Sequence, residues 1–184
     1  MWPRPEISSR ASFFRRRISL EMSSPVRLGM ALDSKDGFLV QLAGPEDLAA
    51  LSMLFNDYRR FYWQASDLPL ATRFLAERLQ LRDSVIFVAS AGGQALAGFT
   101  QLYPTFSSVS ARRAWILNDL FVAPGWRQRG VAKALMQQAL EHARASGAAW
   151  ISLQTARDNL PAQSLYRSLG FVPDEYYLNF SHTF

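Results

Sequence analysis

The sequence predicts an α/β fold: a mixed, mostly antiparallel sheet flanked by helices. Three observations point to it. Short apolar runs alternate with segments of helical period across residues 38–180. The runs at 85–89 and 95–103 are joined across Gly92-Gly93, a hairpin signal. The later runs are separated by helical segments, as a β-α-β crossover requires. The expected order is β-α-α-β-β-β-α-β-α-β.

Residues 1–37 show no sustained period and contain Pro3, Pro5, Pro25 and the run Arg15-Arg16-Arg17. They read as a flexible basic extension to a domain over 38–184. A targeting segment, a nucleic-acid arm, or sequence upstream of a true start at Met22 or Met30 are the alternatives. Phe38 to Leu42 is the first strand. Gly44-Pro45-Glu46-Asp47 starts a helix, because proline suits the first turn and acidic side chains favour the positive end of the dipole. Leu48, Leu51, Leu54, Phe55, Tyr58 and Tyr62 recur at spacings of three and four, giving that helix an apolar face. A second helix follows Pro69, with Phe74, Leu75 and Leu79 on its apolar side. Val85 to Ala89, Ala95 to Tyr103 and Ala114 to Val122 are strands. Residues 128–146 form a helix, Trp150 to Thr155 a strand and Asn159 to Leu169 a helix. Phe171 to Phe180 is extended, and its Tyr176-Tyr177-Leu178-Asn179-Phe180 portion is a candidate to pair across a homodimer.

Composition excludes several chemistries. There are no cysteines, so disulfides, thiolate zinc sites and cysteine nucleophiles are absent together. Only His142 and His182 are available for a hydrolytic triad or a metal, and one lies in a helical pattern while the other is near the C-terminus. No metal is expected. No apolar run reaches the roughly 18–20 residues of a spanning helix, so the expectation is a soluble, cytoplasmic protein without a membrane partner. The net charge is +5, of which residues 1–37 supply +3 from seven basic and four acidic residues. The rest is nearly balanced, and no nucleic-acid partner is expected.

The chemistry concentrates where the strand Leu117-Asn118-Asp119-Leu120-Phe121-Val122 runs through a short loop into Arg127-Gln128-Arg129-Gly130-Val131-Ala132-Lys133. A helix N-terminus offers unpaired N–H groups and positive partial charge to a phosphate. Gly130 lets backbone approach the anion without a Cβ in the way. Ala132 keeps the next inward position small, and Arg127, Arg129 and Lys133 add charge. Taken alone, the stretch also fits a solvated basic helix start. One predicted strand downstream lies Asn159-Leu160-Pro161-Ala162-Gln163-Ser164-Leu165-Tyr166-Arg167-Ser168-Leu169-Gly170-Phe171. Asn159 and Tyr166 are two helical turns apart and share a side. A helix cap and a packed aromatic are the plainer readings of the pair.

The two segments, in this order and spacing, resemble the acetyl-CoA motif and the second conserved motif of the GNAT superfamily of N-acetyltransferases. The resemblance covers roughly Phe38 to Phe180. Leu117 to Val122, with Tyr58-Arg59-Arg60-Phe61-Tyr62 upstream, is similar to the branch that includes small-amine, polyamine and some histone acetyltransferases. It implies acetyl-CoA as co-substrate. Leu120, Phe121 and Val122 would offer backbone groups to the pantetheine arm and acetyl carbonyl. Arg127, Gln128, Arg129, Gly130, Val131 and Ala132 would hold the pyrophosphate. Asn159 would touch the cofactor, and Tyr166 would protonate the departing thiolate. This chain departs from the pattern in three places: Ala132 replaces the usual final glycine, no glutamate lies near Gln154, and Asn118 stands where diamine-acetylating relatives have glutamate.

An activated thioester needs no metal and no covalent intermediate. It needs an uncharged amine held close, and an N–H near Phe121 or Val122 for the oxyanion. Asp119 is the candidate to take the amine's proton, directly or through water, or to bind a cationic substrate. A strand carboxylate satisfied by local hydrogen bonds is its other reading. Tyr58, Phe61, Tyr62, Trp63, Tyr103 and Phe106 are candidates for the acceptor side, with Asp57 and Asp67 as nearby carboxylates; core packing and solvated surface are the plainer readings. The expected function is acetyl transfer to a primary amine, a small amine or polyamine. The alternatives are a protein lysine or N-terminal acetyltransferase and a non-catalytic acyl-CoA-binding module.

Overall fold

The computed structural model describes residues 37–91 and 95–183. The expected extension, all but its last residue, and the Gly92-Gly93 turn lie outside the described residues. The elements are β1 (Leu39–Leu42), a 3-10 turn at Pro45–Asp47, α1 (Leu48–Phe61), α2 (Leu68–Leu81), β2 (Val85–Ser90), β3 (Leu96–Ser107), β4 (Arg112–Val122), a 3-10 turn at Pro124–Trp126, α3 (Val131–Ala145), β5 (Ile151–Leu153) and α4 (Leu160–Ser168). The strands form one sheet in sequence order, antiparallel from β1 to β4, with β5 parallel to β4.

Local chemistry explains the boundaries. Asp47 turns its carboxylate back to accept the Gly44 N–H at 2.9 Å, which fixes the entry into α1. Asp67 caps α2 by accepting from the Leu70 N–H at 2.9 Å, with Pro69 in the first turn. The link between α1 and α2 is pinned by buried Asn56, which accepts the Asp67 N–H at 2.8 Å and donates to Ser66 Oγ at 3.0 Å. The α3 helix starts at Val131 rather than at 128, because Gln128 and Gly130 take positive φ of 60° and 81°.

Alternation along the strands divides the core between the two faces of the sheet. Phe87, Ala89, Leu102, Trp115 and Leu117 pack with Val131, Leu135, Met136 and Ala139 of α3. Ile86, Val88, Phe99 and Phe121 pack with Leu51, Leu54 and Phe55 of α1 and Ala71 and Leu75 of α2. Full burial of Leu135, Met136, Leu51 and Leu75 contributes about 1.5–3 kcal/mol for each side chain.

One irregularity matters for the site. Gln101 pairs with Asp119 but Leu102 pairs with Leu117, so Asn118 is an extra residue in β4. The inserted residue exchanges the faces. Trp115 and Leu117 look to α3, whereas beyond the bulge Asp119 and Phe121 look to α1 and Leu120 and Val122 look to α3.

The C-terminal strand expected over Phe171–Phe180 is not formed. Asp174 accepts the N–H groups of Tyr176 and Tyr177 at 2.9 and 3.0 Å, a local turn that removes two donors from any ladder. Tyr176, Tyr177, Leu178 and Phe180 are 75–91% exposed.

Candidate active site

The site begins where two parallel strands part. β5 pairs with β4 only from Trp115 to Leu117, and β4 runs on to Val122 without a neighbour on that side among the described residues. The Ala123 N–H bonds to Ala97 O at 2.9 Å on the β3 side. By the alternation of an antiparallel ladder, the N–H and C=O groups of Leu120 and Val122 therefore point the other way, into the gap. The gap widens into a cleft of about 620 Å³, floored by Leu117, Asn118, Leu120, Phe121 and Val122, with Gln154 and Thr155 on its β5 side.

One wall is the start of α3. Gly130 at φ 81° precedes the helix, and no side chain caps it. The first-turn N–H groups of α3 therefore have neither an intrahelical acceptor nor a capping oxygen. Gln128, Gly130, Val131, Ala132 and Lys133 line the cleft beside them. Small residues, uncapped donors and the positive end of a 15-residue helix suit a pyrophosphate group. Arg127 also lines the cleft, but its guanidinium lies 5.9 Å over the Phe121 ring and its Nε donates to Val122 O at 3.3 Å. Arg129 is not among the lining residues; its guanidinium lies 5.2 Å over the ring of Trp126, which is.

The far wall is α4. Asn159 caps it, accepting the Ala162 N–H at 3.3 Å, and still lines the cleft with Pro161, Ala162, Leu165 and Tyr166. Asn159 and Tyr166 do share a side. Tyr166 is half-buried, its ring 6.1 Å from Phe171. Burial first and neighbouring Tyr62 second push its hydroxyl above the ordinary tyrosine range, so it stays protonated and able to donate at neutral pH.

The remaining wall is the C-terminal end of α1. Tyr58, Phe61 and Tyr62 line it in edge contact: Tyr58 to Tyr62 at 5.1 Å, Phe61 to Tyr62 at 5.2 Å, and Tyr58 to Phe121 at 6.0 Å. Asp119 is not part of the lining. It is 4% exposed, beneath Tyr58, whose hydroxyl donates to its carboxylate, and Asn118 Nδ2 donates to it at 3.0 Å. No cationic side chain pairs with it among the described residues. Burial raises the Asp119 carboxyl above the usual carboxylate range, against the two hydrogen bonds, which lower it.

Of the expected acceptor-side aromatics, Trp63 (92% exposed), Tyr103 and Phe106 lie away from the lining. Asp57 pairs with Arg60 at 3.4 Å, and Asp67 caps α2. Trp126, Thr155, Pro161 and Leu165 join the cleft without having been given a role in the sequence, and so does Gln154, noted there only for the missing glutamate. Their common signal is position, just after the strand ends or just inside α4.

The cleft thus joins a strand that parts from its parallel neighbour, an uncapped helix start and a protonated tyrosine opposite. The profile described as the Acetyltransferase (GNAT) family matches residues 48–171, and the chain belongs to that family. Uncharacterized N-acetyltransferase YhfO of Bacillus subtilis (strain 168) is 46% identical over 141 residues, covering 77% of this chain and 94% of that protein. A crystal structure of a probable acetyltransferase superposes with a TM-score of 0.75 at 40% identity, covering 79% of this chain and 97% of the other. Streptothricin acetyltransferase of Streptomyces lavendulae is 37% identical over 90 residues, 49% of this chain and 46% of that protein. The chain is an acetyltransferase of the GNAT type, and acetyl-CoA is the co-substrate of that family.

Proposed function

We propose that the protein transfers the acetyl group of acetyl-CoA to a primary amine, and that the acceptor is a small amine or polyamine. The observation that carries this reading is the cleft itself. It runs from an anion-binding helix start, along the free edge of β4, to an aromatic wall above a buried carboxylate. A similar activity in a partial relative, the streptothricin acetyltransferase, fits a small-molecule acceptor.

Each residue has a task in this reading. The α3 N–H groups, with Gln128, Gly130, Ala132 and Lys133, bind the pyrophosphate, and Arg127 and Arg129 contribute charge after leaving their aromatic partners. Leu120 and Val122 hold the pantetheine arm by backbone hydrogen bonds, and Phe121 closes the floor. Asn159 holds the entrance of α4. The amine nitrogen bonds to the acetyl carbon as the carbon–sulfur bond breaks. Tyr166 gives its hydroxyl proton to sulfur and is reprotonated by the proton the nitrogen sheds. Asp119 supplies the negative charge beneath the acceptor wall, and Phe61 and Tyr62 give a cation π-faces to rest on.

Release of CoA thiol from acetyl-CoA, followed against amines, polyamines and peptides with a free N-terminus, tests the assignment. The expected result is faster release with small amines or spermidine than with peptides. Faster release with peptides would move the acceptor to a protein, and acetyl-CoA binding without release on any amine would leave a binding module.

A further inference from the structure

The carboxylate on the acceptor flank and the cleft are not in contact; a tyrosine stands between them. Tyr58 lines the cleft, and its hydroxyl is hydrogen-bonded to Asp119. Asp119 has Asn118 as its other donor. Gln101, its cross-strand partner, is fully buried and gives its amide to Ser84 Oγ at 2.8 Å instead. The bulge at Asn118 is what turns Asp119 under α1 rather than toward α3. Of the two residues that both line the cleft and bond this carboxylate, Asn118 and Tyr58, the phenol is the one with an O–H to pass a proton along.

We propose that Tyr58 is a catalytic residue that relays the acceptor's proton to Asp119, with Asp119 acting through it as a positioning residue. The inference rests on the amine-acetyltransferase reading above. An ammonium at the aromatic wall gives one proton to Tyr58 Oη as the Tyr58 proton moves to the Asp119 carboxylate. The nitrogen lone pair is freed, Tyr58 ends as it began, and Asp119 ends as a neutral acid. After the product leaves, the proton returns to solvent by the same hydroxyl. Two tyrosines then divide the proton traffic, Tyr58 on the amine side and Tyr166 on the sulfur side.

The surroundings favour relay over a standing phenolate. Burial, then the Asp119 charge, hold the Tyr58 hydroxyl well above the ordinary tyrosine range, with Tyr62 and Tyr103 adding to it. Tyr103, on β3, is itself pushed up to about 12 by burial and Asp119, with Arg78 of α2 opposing and Asp83 reinforcing. Tyr58 and Tyr103 therefore stay protonated at neutral pH. The carboxyl with the raised affinity is the group that takes the proton.

The test compares two acceptors in the full chain: propylamine, protonated at pH 7, and 2,2,2-trifluoroethylamine, largely unprotonated there. The expected effect of Tyr58→Phe is a loss of kcat/KM of roughly 100-fold for propylamine, and a much smaller loss for trifluoroethylamine. Asp119→Asn should show the same split, and the double variant should be no worse than either single one. Acetyl-CoA affinity and the unfolding midpoint, measured on each variant, should match the parent. Equal losses on both amines, losses that add in the double variant, or no loss would overturn the relay while acetyl transfer by the parent still stood. Failure of the parent to acetylate either amine or spermidine would overturn the amine reading and the relay with it.

Discussion

The two flanks of the cleft are made of different material. In the proposed reading the binding groups on the α3–α4 flank are largely backbone: the first turn of α3, the free edge of β4, and the small residues beside them. On the α1 flank they are side chains: Tyr58, Phe61 and Tyr62 over a carboxylate that never reaches the surface. Backbone sites need particular small residues at fixed spacings, so they leave a pattern in the chain. Side-chain sites need only suitable groups brought together by packing, and their sequence trace is diffuse.

The contrast is broken most sharply at Tyr166, the side chain on the backbone-built flank to which the proposed reaction gives the proton for sulfur. Tyr166→Phe is expected to lower kcat by about 100-fold or more while leaving acetyl-CoA affinity nearly unchanged, read by steady-state kinetics beside calorimetric titration. Unchanged turnover would remove it from the reaction. Gly98 tests the geometric demand of that same flank. A Cβ there would meet Phe121 O at 2.8 Å, Val131 Cγ1 at 3.1 Å and Leu135 Cδ1 at 3.2 Å, beneath the start of α3. Gly98→Ala should lower the unfolding free energy by about 1–3 kcal/mol and weaken acetyl-CoA, measured by urea denaturation and titration. On the other flank, half-exposed Phe61→Ala should change stability by less than about 0.5 kcal/mol but raise KM for the amine; a large loss of stability would make that wall core rather than site.

The smallest effect is one of pH, away from both flanks. His142 lies against Phe87 and Trp115 at 5.7 and 4.9 Å, and burial, then Arg113, lower its pKa from 6.5. The unfolded chain therefore binds the proton more tightly than the folded one. The stability that follows is complete above the unfolded value of 6.5 and declines as pH falls through it toward the folded value. The melting temperature should drop further between pH 7.5 and 5.5 in the parent than in His142→Leu; equal drops would show that the histidine does not titrate on unfolding.

The same division explains what could be read from residues alone. The helix start at Gly130, the pair Asn159 and Tyr166, and nearly every strand were legible, because glycine, capping residues and alternation act locally. The bulge at Asn118 was not. It carries no glycine and no local marker, and only pairing with β3 creates it. Its consequence, Asp119 facing α1 beneath Tyr58, was therefore out of reach too, although both residues were in view. β5 proved shorter than expected: it pairs with β4 only over Ile151–Leu153, and the cleft opens where that pairing ends. The final strand failed because Asp174 offers its backbone a competing turn.

Calorimetric titration of the full chain with acetyl-CoA, beside Ala132→Glu, tests the central claim most directly. Ala132 lies on the cleft wall at the first turn of α3, where a carboxylate would take the place of the pyrophosphate charge. The expected result is one molecule bound per chain, weakened about 100-fold by the substitution with the melting temperature retained. No binding by the parent, or equal binding by the variant, would contradict the account.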